Sequence, residues 1–314
     1  MVYYLHEISK AMSPLLTIAV PTYNRGQTLK GNLEILIAQH KGLPHPEDVE
    51  LLVCDNASPD ETDAHIRAFV AQGAPIRAIR NKTNIGPDLN FVKAMRLARG
   101  SYVWLLGDDD YLKPGALNTV YAALKDKPVY GLVHLQHERK NGQRLVECTD
   151  SRKFLQVLSL NITFISTHIF RKELASLDAL ENYKDSFLIQ VPAFMSAAVA
   201  AKKNLILDGD LLQPAKMSAS NGGFNPYQVF IVNFLKIWRK FVPGWWSMEM
   251  AKYRLFRLLI LDFLGRSILG KRTNHDTTGG WKILLRYYWE CPYFYAFVPL
   301  KLLALLPAKL RGNL

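Results

Sequence analysis

Apolar runs of strand length recur along the first part of the chain, and a polar cluster or turn follows each one. Leu15 to Val20 runs into Pro21-Thr22-Tyr23-Asn24-Arg25, and Val49 to Cys54 into Asp55-Asn56-Ala57-Ser58. Pro75 to Arg80 is followed by the turn Asn84-Ile85-Gly86-Pro87, and Ser101 to Leu106 ends in Gly107-Asp108-Asp109-Asp110. Between these runs the apolar positions change period. Leu29, Leu33, Leu36 and Ile37 repeat at helical spacing, as do positions from about 60 to 71 and from Leu89 to Ala98. Short apolar runs bounded by turn residues read as buried strands, and three-to-four spacing reads as helix. Ser58 and Glu61 stand at capping-box spacing for the second helix. Strand and helix in strict alternation predict a parallel α/β sheet with right-handed crossovers.

The pattern loosens after Asp110. Val129 to Glu138 predicts a strand, Asn141-Gly142 a hairpin turn and Arg144 to Cys148 the returning strand. A helix from about Arg152 to Leu158, a strand from Thr163 to Phe170, a helix opening at Lys184-Asp185-Ser186 and a strand at Leu205-Ile206-Leu207 complete this part. Serine, asparagine and glycine cluster between Ser218 and Phe224, which sets a domain boundary: residues 1–220 as the α/β domain, 221–314 as a helical region. In that region Ala251 to Leu269 is apolar with charges scattered round the helical wheel. Trp281 to Leu310 is apolar and aromatic, interrupted by Pro292, Pro299 and Pro307, which argue against one straight spanning helix.

Composition sharpens this picture in three places. A hydrophobic content of 49% in 314 residues supports a sizeable core and excludes general disorder. The three cysteines, Cys54, Cys148 and Cys291, are far apart, which excludes a CxxC zinc site and points to a reducing compartment, with Cys54 as plain core. The net charge of +12 is concentrated in the helical region. From Asn221 onward fourteen Lys and Arg face only Glu249, Asp262, Asp276 and Glu290, and five of the six tryptophans are there. Basic and aromatic residues together point to an anionic surface, and the long aliphatic runs between them favour lipid over nucleic acid. Met1 to Ser13 carries Glu7 and no long apolar stretch, so it does not read as a signal peptide.

The chemistry is concentrated where the strands end. Ligands of open α/β sheets bind beyond the carboxyl ends of the strands. Three adjacent carboxylates at such an end must face water, a metal or a cation. Along an extended segment Asp108 and Asp110 share one side and Asp109 the other. Mg²⁺ takes one or two carboxylates plus substrate phosphates. The triplet thus reads either as a metal–diphosphate site or as a solvated acidic turn capping a helix near Pro114. The chain contains neither G-x-G-x-x-G nor G-x-x-x-x-G-K-[ST], which removes the main support for a dinucleotide dehydrogenase and for a P-loop NTPase.

Val20-Pro21-Thr22-Tyr23-Asn24-Arg25, Val53 to Ser58, Asn84-Ile85-Gly86 and Gly107 to Asp110 with Pro114-Gly115-Ala116-Leu117 together resemble the family 2 glycosyltransferases of GT-A fold. The Gly-Asp-Asp-Asp form, Phe164-Ile165-Ser166 and Lys184-Asp185-Ser186 are most similar to an abequosyltransferase-like subset of bacterial surface-polysaccharide enzymes. Many members carry Asp where Gly107 stands. The resemblance implies a nucleotide-sugar donor lined by Pro21, Thr22, Tyr23 and Arg25, with Asp55 on the base and Asn84 and Gly86 near it. It implies Asp108 on the ribose or sugar, and Mg²⁺ or Mn²⁺ held by Asp109 and Asp110. It implies inversion with a downstream general base, for which Asp185 is the candidate beside an equally weighted reading as a helix N-cap. His168 and Glu173 are weaker rivals. His168, His134 and His137 otherwise read as satisfied core residues, and Lys216 and Asn221 as residues that could close over the diphosphate.

The expected function is transfer of a sugar to a lipid-linked (polyprenyl diphosphate) glycan in cell-surface, O-antigen-type synthesis. The expected place is the cytoplasmic face of the inner membrane, held there peripherally by the basic–aromatic tail, with no nucleic acid partner. The alternatives are a sugar-1-phosphate nucleotidyltransferase, weakened because no Gly-rich basic loop follows the first strand, and a non-catalytic binding protein.

Overall fold

The computed structural model describes residues 2–4, 13–125, 127–136, 144–213, 223–268 and 275–310. Two compact units account for the chain: Met1–Asp185 with Ile189–Lys216, and Ser186–Leu188 with Met217–Leu314.

The first unit is built on a nine-stranded sheet. Its strands are β1 (Val2–Tyr4), β2 (Leu16–Thr22), β3 (Val49–Asp55), β4 (Ile76–Arg80), β5 (Tyr102–Leu105), β7 (Leu132–Gln136), β8 (Arg144–Cys148), β9 (His168–Arg171) and β10 (Asn204–Asp208), in the order β1-β4-β3-β2-β5-β9-β7-β10-β8. A two-stranded ribbon pairs β6 (Tyr111–Leu112) with β11 (Leu212–Gln213). The pairs β2–β3, β2–β5, β3–β4 and β7–β10 are parallel, and β9 runs antiparallel to both β5 and β7. Hence β2, β3, β4, β5, β7 and β10 share one direction, and β9 begins at the edge where they end. Helices α1 (Gly26–Lys41), α2 (Thr62–Ala71), α3 (Pro87–Leu97), α4 (Ala116–Leu124), α5 (Ser151–Leu158) and α6 (Gln190–Ala200) connect them. β2 and β3 are buried along their whole length, as the continuous apolar runs require of strands covered on both faces. Leu29, Leu33 and Leu36 of α1 join Ile18, Val20, Leu51 and Trp104 in the core.

Several local expectations need correction. Val129–Glu138 and Arg144–Cys148 do not pair as a hairpin: β10 lies between β7 and β8. All five residues of β10 are buried, and such a strand is satisfied by neighbours on both edges. The turn residues Asn141-Gly142 lie outside the described residues, as do His137, Lys216 and Asn221. The strand expected from Thr163 shortens to His168–Arg171, preceded by 3₁₀ turns over Ser159–Thr163 and Ile165–Thr167. The helix expected to open at Asp185 starts at Gln190 instead. α4 starts at Ala116 behind Gly115, whose φ of 77° only glycine adopts without cost.

The second unit is helical. A π-helical turn at Tyr227–Asn233 leads into α7 (Phe234–Phe241), and a second at Phe256–Ile260 joins α8 (Trp245–Leu255) to α9 (Leu261–Ile268). α10 (Gly280–Tyr288) and α11 (Pro292–Leu310) follow. α11 continues through Pro299 and Pro307, which the sequence pattern treats as breaks. Among the described residues no helix is long and apolar enough to cross a membrane. Tyr227, Phe234, Trp238, Phe256 and Tyr288 are fully buried and form an aromatic core, in which Trp238 donates its indole N–H to Ser247. Trp245, Trp246, Trp281, Trp289 and Tyr295 stay exposed.

Candidate active site

The loops beyond β2, β3 and β5 meet at the shared carboxyl edge of the sheet. β2 continues through Pro21 to Thr22, whose hydroxyl donates to Asp108 Oδ2 at 2.7 Å. Arg25 donates from one guanidinium nitrogen to Asp108 Oδ1 at 2.8 Å and to Asp109 Oδ2 at 2.9 Å. The two carboxylates therefore share a cation supplied by the neighbouring strand end. Burial pushes Asp108 up to about 6, against the opposing pull of Arg25 and the Thr22 hydroxyl. Arg25 is held above its usual value: burial works against its charge, and Asp108 and Asp109 outweigh it.

The acidic turn is clamped from both sides. Asn32 of α1 donates from its amide nitrogen to the carbonyls of Gly107 (3.2 Å) and Asp110 (2.8 Å). Opposite, the Ser166 hydroxyl accepts from the Gly107 N–H at 2.8 Å and donates to Asp110 Oδ2 at 2.5 Å. Position 107 must be small. A Cβ there would lie 2.9 Å from Asp110 Oδ2, 3.1 Å from Asp109 Oδ1 and 3.3 Å from Ser166 Oγ. That space is a cradle lined by oxygen.

Behind β3 a polar corner is already internally bonded. Asp55 is buried, with Oδ1 accepting from the N–H and hydroxyl of Ser58 and Oδ2 from Arg80. Asn56 donates to Asn84 Oδ1 and the Gly86 carbonyl, and accepts from Ile85 N–H and Asn81. Asn81 reaches Asn90, which donates to the Cys54 carbonyl. Gly86 has φ +83°, and the non-glycine residues Asn24 and Ala57 also sit in the left-handed region, at φ 55° and 62°. Strained backbone of this kind is held in place by surrounding bonds, here including Asn24 N–H to Ser58 Oγ. Tyr23 is exposed at the rim.

The capping box expected of Ser58 and Glu61 is not formed. Ser58 serves Asp55, and Asp60 instead accepts from the Thr62 N–H and hydroxyl with Oδ1, and from the N–H of Gly26, first residue of α1, with Oδ2. One carboxylate thus ties the start of α1 to the loop leading into α2. These hydrogen bonds hold the Asp60 carboxyl below the usual range despite its burial.

Asp185 is exposed, with φ 63°, and does not cap α6, whose preceding residue is Ile189. Asp185 is therefore not the N-cap of the helix that follows it. Glu173 is exposed and paired with Arg171. His168 is buried with His134: its Nδ1 faces the Phe164 carbonyl at 2.9 Å and so carries the proton, and its Nε2 accepts from His134 Nδ1 at 3.1 Å. A general base with no exposed face is excluded, and the core reading holds for both rings. Of the residues at this edge, Arg80, Asn32, Asn81, Asn90 and Asp60 were not singled out from the sequence. Arg80 closes an apolar strand run, a charge at a strand end that is visible in the sequence. Asn32 lies inside a helix pattern and carries no local signal.

Among the described residues no group of three or more His, Cys, Asp or Glu is arranged to hold a metal ion. The donor set of Asp109 and Asp110 nonetheless suits a hard cation, since both present carboxylate oxygens beside the Gly107 cradle. A divalent ion here would complete its shell from a diphosphate.

A sheet of this topology with an acidic turn at its carboxyl edge defines the GT-A class of α/β fold. The chain belongs to glycosyl transferase family 2, whose sequence model matches residues 17–176. Among curated proteins it is 34% identical over 134 residues to the abequosyltransferase RfbV of Salmonella typhimurium, an alignment covering 42% of this chain and 38% of that protein. The chain thus matches well under half the length of this relative. Among solved structures, S. aureus TarS 1-349, crystallised with UDP-GlcNAc, has a TM-score of 0.50 at 21% identity, over 71% of this chain and 65% of that one. The mannosyltransferase PcManGT of Pyrobaculum calidifontis, in complex with GDP-Man and Mn2+, has a TM-score of 0.50 at 15% identity, over 89% and 88%. At these identities both structures speak to the fold alone.

Proposed function

We propose that this protein transfers a sugar from a nucleoside-diphosphate-sugar donor to a lipid-linked glycan in bacterial surface-polysaccharide synthesis. The observation that carries the reading is the Thr22–Arg25–Asp108–Asp109 cluster, which joins the ends of β2 and β5 at the edge where α/β sheets bind nucleotides. The polar corner of Asp55, Asn56, Asn84 and Gly86 floors the nucleobase side, and Pro21, Thr22, Tyr23 and Arg25 line the nucleotide. Asp108 meets the ribose or sugar. Asp109 and Asp110 would hold Mg²⁺ or Mn²⁺, and a divalent ion there would supply positive charge beside the diphosphate of the donor. Asp185 takes the proton from the acceptor hydroxyl as its oxygen bonds to the anomeric carbon from the opposite side, and the bond to the diphosphate breaks with inversion.

The RfbV likeness supports the polysaccharide setting. The exposed tryptophans of the helical unit, with Lys and Arg in excess around them, support peripheral attachment to an anionic phospholipid surface on the cytoplasmic side. The test is a panel of nucleotide-sugars incubated with the protein and Mn2+, reading slow donor hydrolysis as release of nucleoside diphosphate. One donor should be turned over, and Asp109→Ala should abolish its turnover. Asp185→Asn should abolish transfer to a lipid-linked acceptor while leaving donor binding in place. If no nucleotide-sugar is turned over and none binds, the reading is wrong.

A further inference from the structure

We infer that Ser166 is a positioning residue of the acidic turn, acting through Asp110 to present Asp109 and Asp110 together to the cation of a divalent metal–diphosphate pair. The inference rests on the proposed function, and it concerns a residue that lies 59 positions from Gly107 in sequence.

Three bonds converge on this one residue. Its carbonyl accepts the indole N–H of Trp104 at 2.8 Å, which fixes its backbone beside the end of β5. Its hydroxyl oxygen accepts the N–H of Gly107 at 2.8 Å, and its hydroxyl proton goes to Asp110 Oδ2 at 2.5 Å. The incoming N–H leaves the hydroxyl hydrogen only one useful direction, toward the carboxylate. Donor and acceptor roles are thereby fixed, and with them the rotamer of Asp110. Ser166 is 4% exposed, so water does not compete for these bonds.

The antiparallel strand explains why a serine this far along the chain can serve. β9 pairs with β5 through Trp104 and Ile169 and runs in the opposite direction, so its lead-in, Ile165–Thr167, arrives where β5 ends. A parallel strand in that position would have brought its far end instead. The lead-in is itself pinned, because His168 Nδ1–H donates to the Phe164 carbonyl. The Gly107 cradle completes the arrangement. The ideal Cβ position of Gly107 has Asp110 Oδ2, Asp109 Oδ1 and Ser166 Oγ within 3.3 Å. Losing the hydroxyl frees Asp110 to rotate into that space or out of it, so the two carboxylates are no longer held as a pair.

The test measures Mn2+ affinity by EPR in the presence of saturating UDP, GDP, CDP or dTDP, with thermal midpoints recorded alongside. The proteins are the wild type, Ser166→Ala, Ser166→Thr, Asp110→Asn and the double variant Ser166→Ala/Asp110→Asn. The inference expects roughly tenfold weaker Mn2+ binding in Ser166→Ala and recovery to within about threefold in Ser166→Thr, which keeps the hydroxyl. On the Asp110→Asn background, Ser166→Ala should cost nothing further, because its effect runs through that carboxylate. Equal Mn2+ affinity in wild type and Ser166→Ala overturns the inference and leaves the proposed function intact, whatever the midpoints do. Additive losses in the double variant also overturn it, by making Ser166 a structural residue. If the wild type binds Mn2+ with none of the four nucleotides, the proposed function fails and the inference with it.

Discussion

At the scale of single residues, the buried pair of His134 and His168 makes the fold sensitive to acid. Burial holds His134 down at about 4, and burial with the neighbouring ring holds His168 well below the usual imidazole range. Above pH 6.5 both rings are neutral in folded and unfolded chains alike, and the stability is fully present. As pH falls below 6.5 the unfolded chain takes up protons first, so stability is lost toward pH 4. For His134 alone the loss by pH 5 is about 2 kcal/mol. Urea denaturation at pH 7 and pH 5 should show this loss in the wild type and a flatter profile in His134→Gln; identical slopes would refute it. The core reading of these rings follows from their apolar strands, whereas their mutual bond does not, since it depends on β7 pairing with β9 in the register that sets His134 opposite His168, a non-local choice. Gly107 shows the same limit. The sequence shows only a glycine ahead of three aspartates, and the fold alone shows three oxygens around its missing side chain.

At the scale of elements, the strand ends were the legible part. Polar clusters at the ends of apolar runs marked the loops beyond β2, β3 and β5, because a buried strand must turn polar where it leaves the core. The partners of those clusters were less legible. Ser58 and Glu61 have the spacing of a capping box, yet Ser58 bonds Asp55, and Asp60 serves two elements by reaching Gly26 of α1. Local spacing cannot reveal a competing acceptor brought in by tertiary structure. The start of α1 lacks a side-chain cap of its own, so Asp60 is its cap in trans. Asp60→Ala should cost about 1 kcal/mol of stability, as lost N-caps do, and weaken nucleotide binding through the adjacent Arg25. Asp60→Asn, which keeps an acceptor, should cost less. Chemical denaturation compares the two, and equal stability of Asp60→Ala and wild type would contradict the role. β10 between β7 and β8 is the other lesson at this scale: an Asn-Gly turn between two strands predicts a hairpin, but pairing order in a sheet is a non-local choice.

At the scale of the whole molecule, the helical unit hides one aromatic set and exposes another. Tyr227, Phe234, Trp238, Phe256 and Tyr288 fill its core, while Trp245 and Trp246 are 74% and 67% exposed. Paired exposed tryptophans on a basic unit suit the headgroup layer of a membrane. The protein should float with vesicles containing anionic phospholipid, less so in high salt, and Trp245→Ala/Trp246→Ala should reduce the bound fraction severalfold. Flotation unchanged by the double substitution would remove these residues from the contact. The composition of this unit was plain in the sequence, but which tryptophans pack inward was not, because α8, which carries Trp245 and Trp246, has no distinct apolar face.

In the proposed function, Asp109 and its neighbours receive a nucleoside diphosphate together with a divalent cation. Thermal unfolding of the wild type and Asp109→Ala, each with UDP, GDP, CDP or dTDP and with or without Mn2+, tests it most directly. A ligand at a hundred times its dissociation constant stabilises a folded protein by about 2.7 kcal/mol. One nucleotide should raise the wild-type midpoint by several degrees only when Mn2+ is present, and Asp109→Ala, folded at a similar midpoint, should lose that rise. A wild type indifferent to every nucleotide, or an Asp109→Ala protein stabilised as well as the wild type, would contradict it.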